Sequence, residues 1–186
     1  AHYDIFIRYA DVQPDIIIRF GRKPTSMALC RLLDNWAKNT ILVDAWQQLN
    51  DDCPNFIQSC IGNYCSEQVE KIDWQGSTDW VNHLLSLEKT VDDEIRSNME
   101  FHEGTIAKTC VELLEDGGQF FVGNSMPIRD VDMFISTSQK RVAIFSNRGA
   151  SGIDGVISTA LGLCAESENS NSLLLIGDLS FYHDMN

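Results

Sequence analysis

Positive charge is what this sequence has least of. Its 186 residues carry 14 Lys and Arg against 27 Asp and Glu, a formal net charge of -13. Nucleic acids and anionic membrane surfaces are recognised by clustered Lys and Arg that neutralise phosphate, so neither is expected as a partner. Long apolar runs are absent as well. None approaches the roughly 20 residues that a bilayer-spanning helix needs, and the opening AHYDIFIRYADVQPD lacks the basic-then-apolar order of a secretory signal. A soluble, cytoplasmic protein is expected. The six cysteines, at 30, 53, 60, 65, 110 and 164, form no CxxC pair and no Cys/His grouping of zinc-site spacing. Several lie on apolar stripes, where a free thiol acts as a small hydrophobe, and reduced structural cysteines are expected. There is no internal repeat, and ESENSNS (166 to 172) is the one short polar tract of low complexity.

What is present is an alternation of strands and helices. DIIIRF (15 to 20) reads as a buried strand, GRKPTS as the loop after it, and Met27 to Trp36 as a helix with Leu29, Leu32, Leu33 and Trp36 on one face. TILVDA (40 to 45) is the next strand, completing the strand–helix–strand order of a parallel sheet. From Trp46 to Gly76 the pattern weakens into turns around Asn50, Asp51, Asp52 and Pro54, followed by FIQSCI, which fits neither period. After the N-cap candidates Ser77, Thr78 and Asp79, the spacing of Trp80, Leu84, Leu87, Val91 and Ile95 predicts a long amphipathic helix, read as a connector between two domains. A second unit follows. It contains a helix through Ile106, Cys110, Leu113 and Leu114 stopped by Gly117 and Gly118, a strand at 119 to 123, a helix at 126 to 135, a strand at 141 to 146, a helix at 153 to 165 and a strand at 172 to 177.

Ligands of open parallel sheets bind beyond the carboxyl ends of the strands. Three strands of the second unit end in small, polar or charged residues: GNSMPIRD (123 to 130), SNRGASGIDG (146 to 155) and GDLSFYHD (177 to 184). Glycines admit close backbone approach, Ser and Asn can cap the next helix, and helix N-termini present unpaired N–H groups to an anion. Pro127 suits the first turn of a helix. Any parallel sheet needs small turn residues, so the signal lies in the three loops together and in the arginines two of them carry. Arg129 and Arg148 are two of only four basic residues after position 118. A guanidinium there recognises a carboxylate or phosphate, or else pairs with Asp130, Asp132 or Asp154. Asp178 reads either as a Mg²⁺ ligand or as the cap of a helix beginning near Phe181. His183 beside Asp184 reads as a general-base pair or, more simply, as capping and surface residues.

FVGNSMPIRDVD, SNRGASGIDGVISTALG and IGDLSFYHDMN, in this order and spacing, resemble the 2-succinyl-5-enolpyruvyl-6-hydroxy-3-cyclohexene-1-carboxylate synthase family, thiamine diphosphate enzymes of menaquinone synthesis. The resemblance is tight over 119 to 186. It is looser before, where RFGRKPTS and ILVDAWQQLNDDCPN look like the family's central domain. It implies an α/β fold with a parallel-sheet, three-layer, Rossmann-like central domain over residues 1–98 with the connecting helix. Residues 99–186 would then be the N-terminal half of the diphosphate-binding α/β domain. The pyrimidine domain, with the glutamate that activates the cofactor, would lie outside this chain, so no catalytic residue is assigned within it.

By the same resemblance Asp178 is a Mg²⁺ ligand, with an Asn beyond residue 186 as the second, and Gly177, Leu179 and Ser180 meet the diphosphate. Ser125, Arg129 and Arg148 fall where the family positions substrate carboxylates. The implied enzyme is a transferase that decarboxylates 2-oxoglutarate and adds the resulting carbanion to isochorismate, working as a homodimer or homotetramer, while this chain alone is expected to be inactive and to bind no cofactor. One departure is that Met27 and Ala28 stand after Thr25-Ser26, where the family often has a basic residue; no binding role is carried onto these positions, nor onto Arg22 and Lys23 nearby. Two other readings remain: a different thiamine diphosphate-dependent 2-oxo acid decarboxylase or ligase, which SNRGASGIDG fits poorly, and a non-catalytic anion-binding α/β module. An exposed sheet edge is expected in the second unit.

Overall fold

The computed structural model describes residues 2–46, 51–71, 76–98, 100–136, 138–166 and 171–185. Parts of the turn-rich run (47–50) and of ESENSNS (167–170) lie outside them. The fold is α/β, with two three-stranded sheets in which every described pairing is parallel. By its contacts the chain divides into two compact units, residues 4–87 and residues 1–3 with 88–186.

The unit of residues 4–87 runs from α1 (Tyr3–Phe6) through β1 (Ile17–Phe20), α2 (Met27–Asn35), β2 (Thr40–Asp44), β3 (Asn55–Gln58) and α3 (Ile61–Lys71) into α4 (Thr78–Ser97), within which the two units part. The strand order is β1-β2-β3, so only β2 is flanked on both sides. Leu42 and Val43 on β2 are buried, and Leu33 of α2 and Tyr64 of α3 join them in the core. Ser26 caps α2 by accepting from the Leu29 N–H at 3.0 Å.

The expected burial of DIIIRF is inverted. Ile16, Ile18 and Phe20 are about half exposed, while Arg19 between them is buried. β1 lies at the edge of the sheet, and of its apolar side chains Phe20 meets the Tyr64 ring edge-on at 6.1 Å yet stays partly exposed. Arg19 tolerates burial because both Asp51 carboxylate oxygens lie 2.7 Å from its Nη2. Three elements were not legible in the sequence: the four-residue α1, β3 and α3. β3 is an edge strand that buries no residue, and α3 buries only Tyr64, so neither writes a strong period.

In the second unit, α5 (Glu103–Leu113), β4 (Gln119–Val122), α6 (Met126–Phe134), β5 (Ala143–Phe145), α7 (Val156–Glu166), β6 (Ser172–Leu175) and α8 (Asp178–His183) follow in turn. The strand order is β5-β4-β6. The continuous apolar runs FFV and LLLI are explained by burial of both sheet faces. Phe120 and Val122 point into a core with Val111, Leu114, Val131 and Leu173, whereas Phe121 points the other way, against Val156, Ala160 and Leu174. Helices α5 and α6 thus cover one face and α7 the other, giving three layers.

Gly104 is required where α5 meets α6, because a Cβ there would lie 2.4 Å from the Phe134 ring. His2, fully buried, belongs to this unit too: its Nδ1 lies 2.8 Å from the Met133 carbonyl and its Nε2 3.2 Å from Asp92. All six cysteines are free. Among the described residues no helix is long and apolar enough to cross a membrane.

Candidate functional site

The order β5-β4-β6 places the second strand of the unit on one side of the first and the third on the other. Chain connections therefore diverge at β4 and β6, beyond whose carboxyl ends lies the usual ligand position in such sheets. Gly123 lets the end of β4 pack closely against β6. Its N–H donates to the Leu175 carbonyl at 2.8 Å, and a Cβ on it would come within 3.3 Å of the same oxygen.

Ser125 stands at the apex of the turn between β4 and α6. It is the one non-glycine residue with positive φ among those described, at φ 70° and ψ -126°. Such a conformation costs about 1–3 kcal/mol in a residue with a Cβ, and the surroundings must hold it. Arg129 does so, donating from Nη1 to the Ser125 carbonyl at 2.6 Å. The serine does not cap α6 through its side chain, and it is exposed.

Neither Asn124 nor Ser125 plays the capping role read from the sequence. Asn124 is buried and reaches sideways to the next loop. Its Nδ2 donates to the carbonyls of Asn147 and Gly152, and its Oδ1 accepts from Arg148 Nη1 at 3.1 Å. Sequence reasoning offered it only as a cap; the signal for its actual role was a carboxamide directly after a strand-ending glycine.

The alternative of an arginine–aspartate pair is not realised. Among the described residues neither Arg129 nor Arg148 takes part in an ion pair, and both are exposed. The other two basic residues of this stretch lie near the opposite ends of the strands and are engaged: Lys140 donates to the Glu112 and Leu114 carbonyls, and Arg141 pairs with Asp116 at 2.7 Å. Asp130, next to Arg129, is buried on α6, and burial, reinforced by the negative charge of Glu103, holds its carboxyl above the usual range.

On the third loop, α8 begins at Asp178 itself, three residues earlier than the sequence suggests, with Gly177 as its N-cap. Asp178 is exposed, and among the described residues no hydrogen bond or ion pair engages it. Space in front of Gly177 is open, since a Cβ there would meet nothing within 4 Å. Leu179 is exposed, while Ser180 is buried and turns its hydroxyl inward to the Ile153 carbonyl at 3.3 Å. Any part Ser180 takes in anion binding is therefore confined to its backbone N–H.

His183 and Asp184 do not form a base pair. His183 Nδ1 lies 3.4 Å from Asp154 at the surface, and Asp184 accepts from the N–H groups of Gly155 and Ile157 at 2.8 and 2.6 Å. Those bonds, the one from Ile157 foremost, hold the Asp184 carboxyl below its ordinary range. The N-terminus of α7 is thereby already filled by the protein's own carboxylate. Of the three loops, the one carrying Arg148 offers an external anion its guanidinium rather than its helix.

Asp178 is a single oxygen-donor residue, and no group of three or more Asp, Glu, His or Cys able to hold a metal occurs among the described residues. That donor set suits Mg²⁺, which takes one or two carboxylates and completes its shell with phosphate oxygens and water.

No family model matches the chain. Similar proteins are nonetheless found along its whole length. The 2-succinyl-5-enolpyruvyl-6-hydroxy-3-cyclohexene-1-carboxylate synthase of Oceanobacillus iheyensis is 35% identical over 196 residues, covering 99% of this chain and 34% of that protein. Proteins of the same name from Bacillus pumilus and Listeria innocua are 39% and 36% identical, over 93% and 99% of the chain. The chain spans about a third of the length of these relatives. The likeness read from three loops thus extends from end to end: over almost its whole length the chain is similar to about one third of proteins named 2-succinyl-5-enolpyruvyl-6-hydroxy-3-cyclohexene-1-carboxylate synthase.

Proposed function

We propose that this chain is part of a cytoplasmic, thiamine diphosphate- and Mg²⁺-dependent carboligase of menaquinone synthesis, which decarboxylates 2-oxoglutarate and joins the succinyl unit to isochorismate. The observation that carries this reading is a pair of guanidinium groups free of ion pairs, beyond the carboxyl ends of adjacent strands, in a chain of net charge -13. Both proposed substrates bear carboxylates, and the product named for the relatives carries succinyl, enolpyruvyl and ring carboxylate groups. Two unneutralised arginines supply the countercharge and the planar donor geometry that such groups require.

In this reading Ser125, Arg129 and Arg148 bind and orient substrate carboxylates. Asp178 contributes one metal ligand, and the first-turn backbone around Gly177, Leu179 and Ser180 meets the diphosphate. The bound cofactor supplies the electron sink for decarboxylation, chemistry for which no side chain suffices. This chain's own task is to hold the diphosphate end and to fix substrate orientation and charge. The domain limits proposed with it are 1–98 for most of the central domain and 99–186 for the first half of the diphosphate domain. A homodimer or homotetramer is proposed for the full-length protein.

The test is steady-state kinetics of the full-length protein with Arg129→Ala and Arg148→Ala. Each is expected to lower kcat/KM for 2-oxoglutarate or isochorismate by about 100-fold, the scale of a lost hydrogen-bonded charge pair, with little change in cofactor affinity. Unchanged constants for both substrates would defeat the assignment.

A further inference from the structure

Asn124 belongs to the loop that carries Arg129, and its carboxamide joins that loop to the one that carries Arg148. It is 7% exposed and makes three hydrogen bonds across the gap. Nδ2 donates to Asn147 O at 3.2 Å and to Gly152 O at 2.8 Å, and Oδ1 accepts from Arg148 Nη1 at 3.1 Å. The partners dictate the orientation of the amide. Carbonyls only accept and a guanidinium only donates, so the flipped amide would set like against like in all three contacts.

The arrangement also distinguishes an amide from a carboxylate. A carboxylate in this place would aim Arg148 equally well but would cancel its charge, and it would push against two carbonyl oxygens. The neutral amide oxygen aims the guanidinium through one nitrogen and leaves the charge and the remaining N–H donors for an incoming anion. The same side chain closes the 147–152 turn on which Arg148 stands, because its two donors reach both ends of that turn.

We propose that Asn124 is a positioning residue for substrate recognition: it orients Arg148 toward a substrate carboxylate without neutralising it. The inference rests on the functional reading given above. In the full-length protein, Asn124→Ala is expected to raise KM by about tenfold for the one substrate whose use depends on Arg148, the scale of a single hydrogen bond to a charged group. The kcat, the KM of the other substrate and the affinity for thiamine diphosphate stay near native. Asn124→Asp, which keeps the side-chain shape, raises the same KM at least as far. In an Arg148→Ala background, Asn124→Ala adds less than about twofold, because the two act through one contact.

Full additivity in the double variant would overturn the proposal, as would a rise of all constants together, the mark of a loosened fold. If Arg148→Ala impairs a substrate and neither Asn124 variant does, the functional reading stands and this proposal alone fails. If Arg148→Ala impairs neither substrate, both fall.

Discussion

Two buried or loop cations of the first unit and two loop arginines of the second are engaged in opposite ways. In the first unit, Arg19 is buried against Asp51 with both carboxylate oxygens at 2.7 Å, and Lys23 is shared between Asp52 at 2.9 Å and Asp34 at 3.4 Å. Both of these cations are neutralised by the chain itself. In the second unit the two arginines beyond the strand ends contact only neutral oxygens, and Asp178 contacts none. The difference separates charge that serves the fold from charge held for something else, although both kinds sit in strand–helix–strand units of the same design.

The largest effect that sharpens this contrast is on stability. Asp51→Ala strands the buried Arg19 and is expected to destabilise the chain by about 3–5 kcal/mol, measured by urea unfolding. Arg148→Ala is expected to cost no more than about 1 kcal/mol in the same measurement, the scale of its single hydrogen bond to Asn124. Equal losses in the two variants would erase the distinction between the units.

A smaller effect concerns acid. Arg96, with Ser136 and His2, holds the Asp92 carboxyl far below its ordinary range. Its contribution to stability is fully present above the unfolded carboxylate value of about 4 and is lost as pH falls through the depressed folded value. Asp92→Asn is therefore expected to cost about 1 kcal/mol at pH 7, after discounting for a partly exposed pair, and to flatten the acid limb of the pH–stability curve.

Asp130 runs the other way. Its raised folded value means that stability is lost as pH rises through it. Asp130→Asn is expected to gain up to about 1 kcal/mol at pH 7 and nothing near pH 3, read from thermal unfolding at both pH values. A loss at neutral pH would point instead to a partner for the ionised carboxylate.

Much of this organisation was legible in the sequence because both faces of the second sheet are buried. FFV and LLLI announce strands with helices on either side, whereas α5 ends at Leu113, before Gly117-Gly118, which belong to the turn into β4. The first sheet was harder to read. Its edge strands β1 and β3 bury little, and its one buried β1 side chain is an arginine, which no hydropathy pattern assigns to an interior. The loops were recognisable as loops, but their internal bonds were not. That Asn124 would reach across to Arg148, or that Asp184 would return to cap α7 from beyond α8, depends on contacts between residues 24 to 29 positions apart. No local spacing encodes such contacts.

The central claim is that the unengaged charges of the second unit are reserved for ligands. It is tested most directly at Asp178, by calorimetric titration of the full-length protein with Mg²⁺ and thiamine diphosphate, native against Asp178→Ala. Loss of one metal ligand is expected to weaken cofactor binding by about 100-fold, while the unfolding free energy stays within about 0.5 kcal/mol of native, since no described residue depends on that carboxylate. Native affinity in the variant would contradict the account.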